Sequence, residues 1–295
     1  MRVLIVGCGY VGVPLGASLA RQGHHVVGVR RTAGAEAALR AAGLEPVVAD
    51  ITRPATLAAL PGPFDWVVNC VASGGGGLAE YRQVYLGGAW NLLRWLRTVR
   101  PRAVVYTSST SVYGQQDGGE VTETSPTAPD APTAAVLTEA EALWLEAARQ
   151  HGIPAVILRV AAIYGPERGY WFKQFLSGAA RLEGEGQRWL NMIHRDDVVG
   201  ALEAALERGR PGHIYNAVDD EPVRQRDFFA WLAARLGRSP PPALPAADAP
   251  PRKRGLANRR VSNHKLKTAL GYTFRYPTFR EGYADAIAQA LRAAS

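Results

Sequence analysis

"RVLIVGCGYVG", Arg2 to Gly12, decides the fold. An apolar run from Arg2 to Val6 ends at Gly7, and glycines recur at positions 9 and 12. The spacing is G-x-G-x-x-G. The first glycine permits a tight turn, and the second lets backbone approach a pyrophosphate. The third lets a following helix pack on the strand, and the helix N-terminus offers N–H groups to phosphate. Strand, turn and helix are in register, so the stretch predicts a dinucleotide held by Gly7, Gly9, Tyr10, Val11 and Gly12.

Further apolar runs follow: His25 to Val29, the segment around Val47, Trp66 to Ala72, Ala103 to Ser109, and Pro154 onward. Helical patterns separate them at 11–22, 35–42, 55–60, 81–99 and 133–151. Apolar strands alternating with helices predict an α/β fold with a doubly wound parallel sheet of Rossmann type. After Pro166 strand signals become sparse and helices short (171–182, 196–207, 225–236, 263–270 and 279–293). Residues 1–165 are therefore expected to form the nucleotide-binding domain. Residues 166–295 are expected to form a smaller, mostly helical substrate region that is not an independent domain. "GRSPPPALPAADAPPRKRG" from Gly237 is too proline-rich for regular structure.

The chain has 295 residues, of which 47% are hydrophobic, enough for a sizeable core. No apolar run approaches the roughly 18 residues of a membrane span. Two cysteines, far apart in sequence, make a metal site or disulfide framework improbable and a reducing cytoplasm the default. The net charge of +8 is concentrated: eight Lys/Arg and no acid lie between Arg252 and Arg275. Such a patch suits an anionic small molecule. The competing readings are a solvated basic surface or, more remotely, nucleic acid, for which no known motif is present.

The strand ends carry the candidate chemistry. The second strand ends in Arg30 and Arg31, where an NAD-binding unit usually carries an acid for the ribose hydroxyls. Two arginines suit a 2′-phosphate, so NADP(H) is expected over NAD(H). Alternatively, one of them stacks on adenine or faces solvent. Asp50 and Ile51 follow the third strand, and Cys70, Val71 and Ala72 the fourth. These positions lie on the carboxyl edge of the sheet, where ligands bind.

Read in order, GCGYVG, Asp50-Ile51, "NCVA", "SSTSVYG", "RVAAIYGP", "NMIHRDDVV" and "IYNAVDD" resemble the extended short-chain dehydrogenase/reductases, the NAD-dependent epimerase/dehydratase family, and within it an atypical bacterial subgroup. The resemblance runs nearly end to end. It implies that Ser109 holds the reacting oxygen of a substrate. It also implies a Tyr-x-x-x-Lys on the next long helix, the Tyr as acid/base and the Lys on the nicotinamide ribose. Family spacing puts these positions at Thr133 and Leu137, and no Tyr or Lys occurs from Gly114 to Arg159. An alcohol is far too weak an acid to replace a phenol near pH 7, and a leucine donates nothing. Any chemistry must recruit another group.

Candidates for that group are His194, a side chain suited to relaying protons near neutral pH, and the tyrosines Tyr164 and Tyr113, which the resemblance otherwise assigns to packing near the site. For His194 the plainer expectation is a hydrogen-bonded residue at a helix start. Substrate contacts are expected from Ser109, Thr110, Arg168, Tyr170, Trp171, His194 and Arg259. Glu141, two turns beyond Thr133, reads as a structural ion-pair partner. Tryptophans 90, 95 and 144 lie on the two long helices, 81–99 and 133–151, through which this family dimerises; otherwise they cover the sheet. The expected protein is an atypical NADP(H)-dependent oxidoreductase, epimerase/dehydratase-like, acting on a small anionic or nucleotide-linked substrate. The alternative is a silent NADP(H)-binding sensor or scaffold.

Overall fold

The computed structural model describes residues 1–244 and 257–294. Most of the proline-rich stretch and the start of the basic segment, residues 245–256, lie outside the described residues.

The first half builds the sheet. Strands β1 (Arg2–Val6), β2 (His25–Arg30), β3 (Glu45–Val48), β4 (Trp66–Asn69) and β5 (Ala103–Ser109) come first. Helices α1 (Gly12–Arg21), α2 (Glu36–Ala41), α3 (Pro54–Ala58) and α4 (Leu78–Tyr81) link them. From α4 the chain enters a π-helical segment, Arg82–Gly87, and then α5 (Gly88–Val99). After a short strand β6 (Glu120–Val121) comes α6 (Pro132–His151), started by Pro132 and stopped by Gly152 in the left-handed region. Strand β7 (Ala155–Val160) is buried throughout.

The C-terminal portion is made of short pieces: β8 (Ala162–Tyr164), α7 (Tyr170–Leu176), β9 (Leu182–Glu183), β10 (Trp189–Leu190) and β11 (Met192–His194). Then come α8 (Arg195–Arg208), β12 (Ile214–Ala217), β13 (Val223–Arg224) and α9 (Gln225–Leu236). The last are β14 (Ala243–Leu244), β15 (Arg260–Val261), α10 (His264–Leu270), α11 (Phe279–Gly282) and α12 (Ala284–Ala294).

The central sheet has seven strands in the order β12-β7-β5-β4-β1-β2-β3. Every pair in it is parallel. Helices cover both faces, which is why the inner strands read as unbroken apolar runs. The seventh strand, Ile214–Ala217, comes from beyond residue 166 and pairs with β7, so the sheet is not confined to residues 1–165. A second, aromatic cluster around Phe228, Phe229, Phe279 and Tyr283 holds the C-terminal portion together. Tyr164 from β8 joins it by stacking on Tyr283 at 4.3 Å. The strand order reverses between β1 and β4, and a crevice opens there beyond the carboxyl ends of the strands.

Candidate active site

A cavity of about 1070 Å³ fills that crevice and extends under the C-terminal portion. At the glycine loop, Gly7 has φ +82°, and a Cβ there would come within 2.7 Å of the Val71 backbone. Only glycine lets the turn lie so close to the end of β4. A Cβ on Gly9 would meet little besides the end of the Arg30 side chain, 3.2 Å away, so this face of the loop opens into the cavity. Arg30 is steered by its Nη1, which donates to the Cys8 carbonyl at 3.1 Å. Arg31, Asp50, Ile51, Cys70, Val71 and Ala72 line the same groove. Asp50 Oδ1 accepts from the amide and hydroxyl of Thr52 at 2.9 and 2.8 Å. A long groove with an open glycine cradle and cations at one end fits a dinucleotide. Of the expected cofactor contacts, Gly7, Gly9, Tyr10 and Val11 line the cavity, and Gly12 packs beneath them.

Tyr10 joins the two parts of the molecule. Its hydroxyl donates to the Pro166 carbonyl at 2.9 Å. Arg168 lies over its ring at 4.4 Å and Arg195 at 5.4 Å. The loop after β8 is thereby fastened to the glycine loop, and Arg168 is aimed along the cavity wall.

Where β5 ends, the expected substrate contacts Ser109 and Thr110 line the cavity together with Thr107, Ser108 and Ser111. Ser109 starts the 3-10 turn Thr110–Val112, and its Oγ accepts from the Ser111 amide at 3.2 Å. Ser108 Oγ donates to Glu141 at 2.5 Å. Glu141 in turn is gripped by Arg159, whose Nη2 lies 2.6 Å and Nε 3.0 Å from its carboxylate. Arg159 Nη1 donates to the Tyr113 hydroxyl, which donates to Asn216, both at 2.8 Å. Glu141 is thus a buried ion-pair partner tying α6 to β7 and β5, and Tyr113 sits inside the same network away from the cavity.

On α6, Leu137 reaches the cavity wall. Its butyl group stands where the resemblance expects an ammonium. Thr133 is buried one turn earlier and is not part of the wall.

His194 and Tyr164 stay outside the wall. His194 is 4% exposed, and its Nδ1 accepts from the Asp196 amide, capping α8. Burial pushes its pKa down to about 4, so the ring is neutral at physiological pH. Tyr164 donates to the Thr278 carbonyl at 3.3 Å, and burial drives its phenol well above the usual range. Both hold the C-terminal portion in place rather than facing the crevice.

The far end of the cavity is lined by Arg168, Tyr170, Trp171, Arg188, Trp189 and Arg259. Arg188 lies over Trp171 at 5.4 Å, and Arg224 and Arg260 bracket Trp189 at 4.5 and 5.6 Å. Arg259 is buried, and its Nη2 donates to the Thr110 carbonyl at 2.6 Å. Its Nε has no hydrogen-bond partner among the described residues, and desolvation lowers its pKa to about 10, so it remains a cation. The described cations of the basic segment are thus largely engaged within the fold: Lys267 pairs with Asp220 at 2.9 Å, and Lys265 lies over Tyr215. Sequence reasoning missed Arg188 and Trp189, which the adjacent "LNMIHRDD" motif carries to the wall. It also missed Tyr85, which had no signal beyond its place in a helix.

Comparison with known proteins agrees with this layout. YeeZ of Escherichia coli K12 is 30% identical over 286 residues, covering 94% of this chain and 96% of that protein. A 3-diazoavenalumate denitrifying reductase from a Streptomyces species is also 30% identical, over 96% of this chain and 99% of its own. The solved DesIV dTDP-glucose 4,6-dehydratase of Streptomyces venezuelae superposes with a TM-score of 0.84, covering 99% and 97% of the two chains. At 24% identity that likeness concerns the fold alone. The model of the NAD dependent epimerase/dehydratase family matches residues 3–217, from the first strand of the sheet to the last. Both the glycine cradle and the hydroxyl-rich end of β5 fall inside that span, and the chain belongs to the NAD-dependent epimerase/dehydratase family.

Proposed function

We propose that the protein is an NADP(H)-dependent oxidoreductase acting on a small anionic or nucleotide-linked substrate. One observation carries the reading: a single cavity runs from the glycine cradle, past the hydroxyls of β5, to an end walled by arginines and tryptophans. Arg30 and Arg31 at the end of β2 support NADP(H) over NAD(H), because guanidinium groups pair with a 2′-phosphate where a carboxylate would repel it. Arg168, Arg188 and Arg259 support an anionic substrate. The redox class is supported by the full-length relative named as a reductase. When bound, the dinucleotide would supply or accept hydride. Ser109 would orient the reacting oxygen at the end of β5, Arg259 and Arg168 would neutralise the substrate, and Leu137 would exclude water. Trp90, exposed on α5, supports a homodimer through α5 and α6.

Leu137 at the ribose-holding position favours a second reading, a dinucleotide sensor that turns nothing over. The two separate in one experiment. Both readings expect NADPH to raise the melting temperature more than NADH, and Arg30→Asp to reverse that order. An oxidoreductase oxidises NADPH with a carbonyl acceptor and loses the activity in Ser109→Ala. A sensor binds and does neither. If neither dinucleotide shifts the melting temperature, both readings fail.

A further inference from the structure

The phenol missing from α6 has a neighbour of the same chemistry on the adjacent helix. We propose that Tyr85 is the acid/base of this site, delivering its proton from the π-helical segment rather than from α6. The inference rests on the hydride-transfer reading above.

Four observations meet at Tyr85. It lines the cavity together with Leu137, Ser108, Ser109, Cys70 and Val71. It is 5% exposed, so the side chain is shielded from bulk solvent. It belongs to the π-helical segment Arg82–Gly87, which packs against α6. A π turn inserts one residue into a helix and re-aims the side chains that follow, and such turns recur at functional sites. Finally, the Tyr85 hydroxyl oxygen accepts from the Ser73 amide at 3.2 Å. A backbone N–H aimed at a phenol oxygen stabilises the phenolate that proton delivery leaves behind. Because that bond uses a lone pair, the hydroxyl proton remains available to the cavity.

Other acids on the described wall are less suited. Tyr10 spends its proton on the Pro166 carbonyl. Tyr170 is 60% exposed, at the arginine-rich end. Asp50, the wall's carboxylate, is tied to Thr52 beyond β3. That strand is the sheet edge farthest from the β5 hydroxyls on the β1 side. Burial raises the Cys70 thiol far above neutrality. Tyr85 follows β4, the direct neighbour of β5, and so shares the hydroxyl end of the crevice.

The step balances without a further co-reactant. A carbonyl carbon that accepts hydride from a dihydronicotinamide pushes its π pair onto oxygen. That oxygen, oriented by Ser109, takes the proton from Tyr85 Oη, and water reprotonates the phenolate. The carbonyl is reduced to an alcohol and the dinucleotide is oxidised.

The test reads the phenol itself. Protein carrying tyrosine labelled with ¹³C at Cζ is titrated by NMR in its NADP⁺ and NADPH complexes, with Tyr85→Phe assigning the signal. A phenol beside the reacting ring feels the positive charge of the oxidised nicotinamide. The Tyr85 titration midpoint should therefore fall by about one pH unit or more in the NADP⁺ complex relative to the NADPH complex. Tyr85→Phe should keep NADPH affinity within about twofold, since it removes no cofactor anchor. Equal midpoints in the two complexes overturn the proposal. So does a tenfold loss of NADPH affinity in Tyr85→Phe with an unmoved midpoint, which would make Tyr85 a cofactor anchor only. If neither dinucleotide binds, the functional reading falls first and this inference with it.

Discussion

His194 shows how burial converts a candidate proton relay into a structural part. Its ring lies 3.9 Å from the Tyr276 ring, and Nδ1 caps α8. Desolvation dominates its titration and outweighs the Asp196 carboxylate, while Arg195 and Arg275 disfavour the cation further. The sign follows from the two pKa values, 6.5 in the unfolded chain and about 4 in the fold. Above pH 6.5 both states hold a neutral ring and this residue contributes no pH dependence. Between pH 6.5 and pH 4 the unfolded chain takes up a proton that the folded chain refuses, so stability falls on acidification. The full loss is of order 3 kcal/mol. Asp219, whose carboxyl is raised by burial, works in the opposite sense, because its neutral form is favoured by the fold at low pH. Comparison with His194→Asn cancels that background, since asparagine keeps a capping acceptor and does not titrate. Melting temperatures of the two proteins should converge as pH drops from 7 to 4.5, the wild type falling faster. Parallel profiles would show that His194 takes up its proton alike in the folded and unfolded chains, so that burial does not lower its pKa.

At the scale of elements, the Glu141–Arg159 pair is the fastening of α6 to the sheet. Both side chains are about 4% exposed. Removing one partner of a buried pair leaves the other charge unpaired, at a cost of about 3–5 kcal/mol. Replacing both by apolar residues of similar size costs less, because nothing charged remains buried. Arg159→Met should therefore lower the melting temperature more than the double variant Glu141→Leu/Arg159→Met. A double variant less stable than the single one would mean that Ser108 and Tyr113 need the charges more than the fold does. The same elements show what the sequence disclosed. Strands β1, β2, β4, β5 and β7 were legible because burial on both faces leaves unbroken apolar runs. Strand β12 was visible only as a motif: its Asn216 is buried, donating to the Ser262 carbonyl and accepting from Tyr113, and polar pairing interrupts the apolar signal. The helix expected over 279–293 is divided at Tyr283, with its own capping box at Thr278 and Glu281. The glycine cradle was legible because backbone geometry demands those residues. The π-helical segment was not, because a one-residue insertion changes no composition, and with it Tyr85 escaped notice.

At the scale of the whole molecule, the three tryptophans of the long helices have different fates. Trp144 is fully buried and stacks on Tyr106 at 5.2 Å. Trp95 packs against Phe64. Both cover the sheet. Trp90 alone of the three is open, 57% exposed on α5. Helices α5 and α6 lie against each other, so their outer faces form one surface beside which a second copy can align two helices with two. A stable contact of this kind buries about 800 Å² per partner, and a central tryptophan is the side chain such a contact depends on most. The wild type should elute in light-scattering chromatography at twice the 31.7 kDa chain mass. Trp90→Glu, which would place a charge at the centre of such a contact and lies outside the cavity wall, should elute at the chain mass while keeping its NADPH-induced thermal shift. A monomeric wild type, or a dimer indifferent to Trp90→Glu, would remove α5 and α6 from the interface. Because the π-helical segment precedes α5 directly and packs on α6, a dimer built on this pair would brace the wall that carries Tyr85 and Leu137. Loss of the dimer should then loosen that wall, read as faster amide exchange over residues 82–87 in Trp90→Glu than in the wild type.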